Sequence, residues 1–375
     1  MPERIIFPQI RSVLDALVEE SCMRTIPREF GDAHRDFSSN DYMGLRNGSR
    51  LESAFGSEDM SSSASRLLSA SQNPYSALER YLGDAYGRDA LLFNSGYHAN
   101  TGIISAIGSL PSTLIVADRL VHASIIDGIC LSRADFVRFR HNDMDNLRSI
   151  LGKKRDSYSN ILIITESLFS MDGDRAPLRD LVDIKNEYGA MLYVDEAHSF
   201  GVAGRRGLGV AEENDLISGI EIIAGTFGKA CGSIGAFAAV DTDVKKFLVN
   251  KSRSLIFSTS LPPANVRWTL YNCRRLSEMR EQREYLASLS GYLRRRLNEI
   301  GVDTAGSSSQ IIPLITGNAA KALRISQSLS ESGVRALAIR KPTVPAGKER
   351  IRFSLGAHHT REDVDFLLDI LEKTL

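Results

Sequence analysis

The chain has 375 residues, 43% of them hydrophobic and 25% charged, enough for a large core and two domains. Its 46 basic and 46 acidic side chains cancel, so neither nucleic acid nor an anionic membrane is favoured as partner, and no apolar run approaches the roughly 20 residues of a membrane span. Cys22, Cys130, Cys231 and Cys273 lie far apart with no CxxC pair, and the opening MPERIIFPQIR lacks a signal-peptide hydrophobic region, which argues against zinc and disulfide frameworks and leads us to expect a cytoplasmic enzyme.

Residues 1–38 read as a lead segment, with a helix over 10–20 and then a polar connection. FSSNDYMGL, residues 37–45, is rich in turn formers and carries Asn40. Residues 57–72 are serine-rich around Arg66-Leu67-Leu68, with too many apolar side chains for a disordered linker. From Pro74 onward helix and strand alternate. Ala77, Leu78, Tyr81, Leu82 and Ala85 share helical spacing after Pro74, predicting a helix over 74–87. A strand at 90–93 and a helix over 96–108 follow, then a strand at 113–117, a helix over 121–131 and a strand at 135–139. A helix over 143–152, a strand at 160–166 and a helix over 177–188 continue the pattern. Two further buried strands end at Asp195 and just before Lys229. Such alternation predicts an α/β domain over 39–262, with a mostly parallel sheet covered on both faces. Residues 262–300, dense in arginine, leucine and glutamate, read as one or two exposed helices. Strands at 310–315, 334–339 and 350–355, with helices over 319–332 and 360–371, predict a smaller α+β domain over 263–375.

Chemistry gathers where strands end. In EIIAGTFGKACG a short apolar run is followed by Lys229 among residues with little or no side chain. Burial there disfavours the ammonium and suits a lysine that forms a Schiff base. AMLYVDEAHS ends a second strand in Asp195, with His198 three residues on. Ligands bind at the carboxyl ends of strands in open α/β sheets, so these two ends point to one site. A lysine for covalent capture and an acid for a pyridine nitrogen are what pyridoxal phosphate requires. NSGYHAN joins a strand to a helix and offers the amides of Gly96 and Tyr97 to an anion. DRLVHAS places His122 after another strand, ESLFSMDG places Ser170 after a fourth, and FSTSLPP adds Ser258 and Thr259 before a proline-started helix.

Taken together, TFGKA, DEAH, ESLFSMDGD, DRLVHAS, SSNDYMGL and IRKPTVP resemble the α-oxoamine synthases, pyridoxal-phosphate acyltransferases of the aspartate-aminotransferase fold (fold type I). The likeness runs from about residue 37 to the C-terminus. FSTSLPP, IRKPTVPAG and RFRHNDMDNL are most similar to the branch that condenses L-alanine with a pimeloyl thioester in biotin biosynthesis. The resemblance implies that Lys229 holds the cofactor and takes the Cα proton, that Asp195 pairs with the pyridine nitrogen, and that His198 hydrogen-bonds the phenolic oxygen. It implies that His122 stacks on the ring, that Gly96, Tyr97 and Thr226 bind the phosphate, and that Ser170 borders the ring. Ser258 or Thr259 would reach the phosphate of a neighbouring subunit, so a homodimer with shared active sites is expected. Asn40, Arg340 and Thr343 would contact substrate, a guanidinium being suited to fork onto a carboxylate, and Arg24 is the candidate for an N-terminal substrate arginine. The partners implied are L-alanine and an acyl-CoA or acyl carrier protein, with no metal.

Two alternatives stand beside this expectation. The amino acid could be glycine or serine and the acyl group acetyl, succinyl or long-chain, since one methyl is worth only about 1–3 kcal/mol in a pocket. An aminotransferase or decarboxylase of the same fold is the other. The sequence also departs from the family pattern. Ser61, Ser62, Ser63 and Ala64 precede Ser65-Arg66, and Ala70 stands where the family has glycine, so strain is expected wherever the loop needs a left-handed backbone.

Overall fold

The computed structural model describes residues 8–24, 35–46, 59–69 and 72–375; Ala70 lies outside them. After a two-residue strand β1 (Arg35–Asp36), seven apolar runs build the central sheet. They are β2 (Asp89–Phe93), β3 (Thr113–Asp118), β4 (Asp135–Phe139), β5 (Asn160–Glu166), β6 (Met191–Asp195), β7 (Ile222–Thr226) and β8 (Ala236–Val240). Their order is β2-β8-β7-β6-β5-β3-β4. β3 to β7 pair in parallel, and β8 runs antiparallel to both β2 and β7.

Side chains alternate across a strand, and in β3, β5 and β6 both faces are buried. Leu114, Val116, Ile161, Ile163, Leu192 and Val194 enter one core. Their neighbours Ile115, Ala117, Leu162, Ile164 and Tyr193 enter the other. Full burial of such a side chain contributes about 1.5–3 kcal/mol relative to exposure, which is why these runs read as continuous rather than alternating apolar sequence. On the second face the helices Gly96–Gly108 and Ala123–Ser132 lie close together. A Cβ on Gly128 would sit 2.9 Å from the Asn100 carbonyl, so glycine there sets how near the two helices come.

The helices Pro263–Glu278 and Arg280–Glu299 are not exposed all round. Val266, Cys273, Leu276, Leu286, Leu289, Leu293 and Leu297 are buried, because their helical spacing gathers the apolar minority on one face while most of the arginines line the other, Arg283 being buried with the apolar side chains. In the C-terminal part β9 (Ile311–Ile315), β10 (Val334–Arg335), β11 (Leu337–Ile339) and β12 (Arg350–Ser354) follow. β11, β12 and β9 form an antiparallel sheet. The expected strand over 334–339 is two strands, since β10 pairs in parallel with β1 while β11 turns to β12. The lead segment is thereby tied to the C-terminal part. Phe37 stacks on His359 at 4.4 Å and its carbonyl accepts from Ser354 N at 2.8 Å. Among the described residues no helix is long and apolar enough to cross a membrane.

Candidate active site

The carboxyl ends of β2, β3, β5, β6 and β7 deliver polar groups to one cavity of about 190 Å³. At the end of β2 the chain turns into the Gly96–Gly108 helix, capped by Ser95, whose hydroxyl accepts from His98 N at 3.2 Å. The first amides of that helix have no partner within it and make an anion cradle. Thr226 closes β7 opposite. A Cβ on Gly96 would meet its side chain at 3.6 Å, and the Thr226 hydroxyl accepts from Gly228 N at 3.3 Å.

Asp195 ends β6. Its Oδ1 accepts from Ala197 N and its Oδ2 from Asn100 Nδ2, both at 2.8 Å. Asn100 is itself fixed, donating to Ser124 Oγ at 2.9 Å and accepting from the Tyr193 hydroxyl. Buried charge needs such partners. His198, three residues beyond Asp195, has its Nδ1 2.8 Å from the Tyr42 hydroxyl. Burial, the charges of Lys229 and Arg352, and His122 together hold its pKa well below the usual imidazole value, so it is neutral. His122 lines the same cavity, with Nδ1 2.7 Å from Ser124 Oγ. Its backbone amide donates to Glu166 Oε1 at 2.6 Å.

Lys229 follows β7 in a tight turn, half-buried, where Lys229 O accepts from Gly232 N at 2.9 Å. Burial pushes its amine down to about 8, against the opposing pull of Asp195 and Glu166. Glu166 moves the other way. Full burial and the nearby Asp195 raise its carboxyl well above the ordinary range, although Lys229 opposes this. An amine that ionises near neutrality is a competent nucleophile toward a carbonyl and a competent base.

The cavity thus brings together seven of the expected residues: Gly96, Tyr97, His122, Asp195, His198, Thr226 and Lys229. Of the six others, four lie beside it and two do not. Asn40 accepts from Tyr42 Oη at 3.0 Å and from Arg352 Nη2 at 3.1 Å. The Ser170 carbonyl accepts from Arg352 Nε at 2.6 Å. Thr259 pairs with Ser65 and accepts from Asn94 Nδ2 at 2.5 Å, with Ser258 next to it. Arg340 donates to the Ser21 carbonyl, and Thr343 accepts from Arg24 Nη2 at 2.8 Å, so these last residues meet the lead segment instead of the cavity.

Five residues were missed: Tyr42, Asn100, Ser124, Glu166 and Arg352. Asn100 stands four positions after Gly96, one helical turn along the same face, and Glu166 is the last residue of β5; both signals are in the sequence. Arg352 is buried in β12 and is found only through the fold. A larger cleft of about 510 Å³ runs past Arg283, Arg294 and Gln310. It is linked to the site through Gln310 Nε2, which donates to the His198 carbonyl at 2.8 Å.

The donor set fits pyridoxal phosphate. It supplies an amide cradle with a hydroxyl for the phosphate, a held carboxylate, a neutral imidazole, a second imidazole for the ring face and an amine of lowered pKa.

The sequence profile of the family "Aminotransferase class I and II" matches residues 35–371. The 8-amino-7-oxononanoate synthase of Chlorobaculum parvum is 44% identical over 348 residues, covering 90% of this chain and 88% of its own. Among solved structures, the serine palmitoyltransferase of Sphingomonas wittichii aligns with a TM-score of 0.89 at 30% identity, covering 98% of this chain and 96% of that one. The 8-amino-7-oxononanoate synthase of Francisella tularensis aligns at 0.76 and 28% identity, over 92% and 98% of the two chains.

Proposed function

The chain belongs to the aminotransferase class I and II family, in its α-oxoamine synthase branch, and on that premise we propose that it condenses L-alanine with pimeloyl-CoA or a pimeloyl carrier protein. The products are 8-amino-7-oxononanoate, CO2 and the free thiol, in biotin biosynthesis. The observation that carries this reading is the convergence of Lys229, Asp195, His122 and His198 on one cavity beside the Gly96 helix start.

Bound pyridoxal phosphate supplies an electron sink that lets an amino acid give up its Cα proton and its carboxylate. Lys229 holds the cofactor through its amine and, once freed, takes the Cα proton. Asp195, fixed by Asn100, keeps the pyridine nitrogen protonated. His198, steadied by Tyr42, meets the phenolic oxygen, and His122 covers the ring face. Gly96, Tyr97 and Thr226 take the phosphate, and Ser170 borders the ring. Asn40 meets the substrate at the cavity, and Arg340 and Thr343, held against Ser21 and Arg24 outside it, meet the part of the substrate that extends beyond the cavity. In the substrates a bond forms between alanine Cα and the thioester carbonyl carbon while the C–S bond breaks. The carboxylate carbon then leaves as CO2 and a proton returns to Cα.

The working form is a homodimer in which Ser258 or Thr259 serves the neighbouring site. Tyr97 and Phe257, 50% and 70% exposed next to these elements, give a second copy apolar surface to cover. The buried thiols of Cys231 and Cys273, 3.8 Å apart and unbonded, suit a reducing cytoplasm.

The test is thiol release from pimeloyl-CoA by the protein loaded with pyridoxal phosphate, run separately with L-alanine, glycine and L-serine. Release with alanine well above the other two supports the reading. Release preferring glycine or serine moves the enzyme elsewhere in the family, and release with none removes the pimeloyl thioester as donor.

A further inference from the structure

His141 lies outside the cavity, in the HND tract after β4, and nothing in the proposed chemistry uses it. Its surroundings are unusual for a loop histidine. Asp118, the last residue of β3 and fully buried, presents its carboxylate to His141 Nδ1 at 2.9 and 3.1 Å. Asp174, in the loop after β5, presents Oδ2 to His141 Nε2 at 2.8 Å. The ring stands edge-on to Phe169 at 4.5 Å. Both ring nitrogens face carboxylate oxygens, and only the imidazolium can donate from both at once.

We propose that His141 is a positioning residue, a partly buried imidazolium that clamps the loop carrying Ser170 to the end of β3 that carries His122. Its bearing on catalysis rests on the reading above, in which those two residues border the cofactor. Each aspartate is also tied into its own end of the clamp. Asp118 accepts from Leu120 N at 2.8 Å and Asn142 N at 2.9 Å, two residues short of His122. Asp174 accepts from Asn142 Nδ2 at 2.9 Å, and its carbonyl accepts from Phe169 N at 3.0 Å, closing the loop that holds Ser170. That loop is gripped from its far side by Arg352 on the Ser170 carbonyl and by Arg350 on the Met171 carbonyl at 3.0 Å.

Of the other charged groups of these loops, Arg119 is exposed to solvent and the rest are engaged elsewhere. Asp172 pairs with Arg350, Arg175 with Glu213 and Arg140 with Asp143. His141 is therefore the cation set between Asp118 and Asp174. Burial alone lowers its pKa, but the hydrogen bonds and charges of the two aspartates more than reverse this and carry it up to about 10. Across the physiological range the clamp is closed.

Hydrogen–deuterium exchange on the full-length protein without substrate tests this, comparing wild type with His141→Gln. We expect amides of residues 167–175 to exchange at least ten-fold faster in the variant, while those of Met191–Asp195 stay within two-fold. With cofactor loaded, kcat/KM for the amino acid should fall about ten-fold while bound cofactor is retained. Asp174→Asn removes the other half of the clamp and should free the same segment, which decides the matter if His141→Gln does not fold. Unchanged exchange at 167–175, or an equal rise at β6, overturns the proposal. Because exchange is read without turnover, a freed segment in a protein that releases no thiol would sink the proposed reaction and leave the clamp standing.

Discussion

Asn100 Nδ2 donates to Asp195 Oδ2 at 2.8 Å across 95 positions of sequence, joining the second turn of a helix to the end of β6. The carboxylate therefore has a fixed direction before any ligand arrives. Replacing Asp195 by Asn preserves shape and removes charge, and kcat should fall about 10²–10³-fold, the scale of losing one preorganised electrostatic group. Asn100→Ala leaves the charge and removes one buried donor, worth about 1.5–3 kcal/mol to a charged acceptor, so its kcat loss should be smaller, about ten-fold. Steady-state kinetics with bound cofactor quantified in each variant check both. Equal losses would mean that Asn100 does more than orient Asp195.

Lys229 gives a signed pH prediction. Its amine sits near 8 in the folded protein because burial disfavours the charge, against 10.5 for a free lysine. Between about pH 8 and 10.5 the unfolded chain holds a proton there that the folded one lacks, so this group makes the cofactor-free protein more stable as pH rises through that window. The contribution is lost as pH falls through 8. Denaturation midpoints of the cofactor-free wild type minus those of Lys229→Met should rise from pH 8 to 10. The capture rate of added pyridoxal phosphate should climb with a midpoint near pH 8; a midpoint near 10.5 would show a solvated lysine.

Gly232 holds φ +57 three residues after Lys229, where a Cβ would collide with the Leu45 backbone and come within 2.7 Å of Arg46 N. Gly306 has φ +72 with nothing within 4 Å of its Cβ position. Gly306→Ala should cost only the left-handed penalty of about 1–2 kcal/mol. Gly232→Ala adds backbone overlap and should cost more, about 3 kcal/mol or above, as strain adds to the conformational penalty. Urea unfolding of the two variants side by side gives the comparison.

The serine-rich stretch contains the strain its composition led us to expect. Ser63 adopts φ +51, and its amide donates to Ser61 Oγ at 3.1 Å. Glycine removes the left-handed penalty of about 1–2 kcal/mol and returns about 0.5–1 kcal/mol in lost chain freedom. Ser63→Gly should therefore leave thermal stability unchanged or slightly raised, and Ser63→Val should lower it; calorimetry of both checks this.

The elements around the cavity were legible in the sequence because each is local. Strand-sized apolar runs, glycine at a strand–helix turn and polar residues at or just past strand ends can be read without a fold, and they located Gly96, Asp195 and Lys229, while Thr226 came from the family resemblance. What escaped were partners far along the chain. Tyr42 meets His198 across 156 positions and Arg352 meets Ser170 across 182, and no periodicity encodes such pairs. The break between β10 and β11 escaped for the same reason, since Val334 and Leu337 lie in one apolar stretch but find different partner strands. The helices Pro263–Glu278 and Arg280–Glu299 looked exposed because arginine dominates their composition, while burial follows the spacing of their leucines.

The most direct test of the central claim uses L-alanine labelled with ¹³C in its carboxyl group, with pimeloyl-CoA and the loaded enzyme, following thiol and ¹³CO2 together. The account predicts one ¹³CO2 for each thiol released, and neither from Lys229→Ala. Thiol without labelled CO2, or pyruvate in place of both, would contradict it.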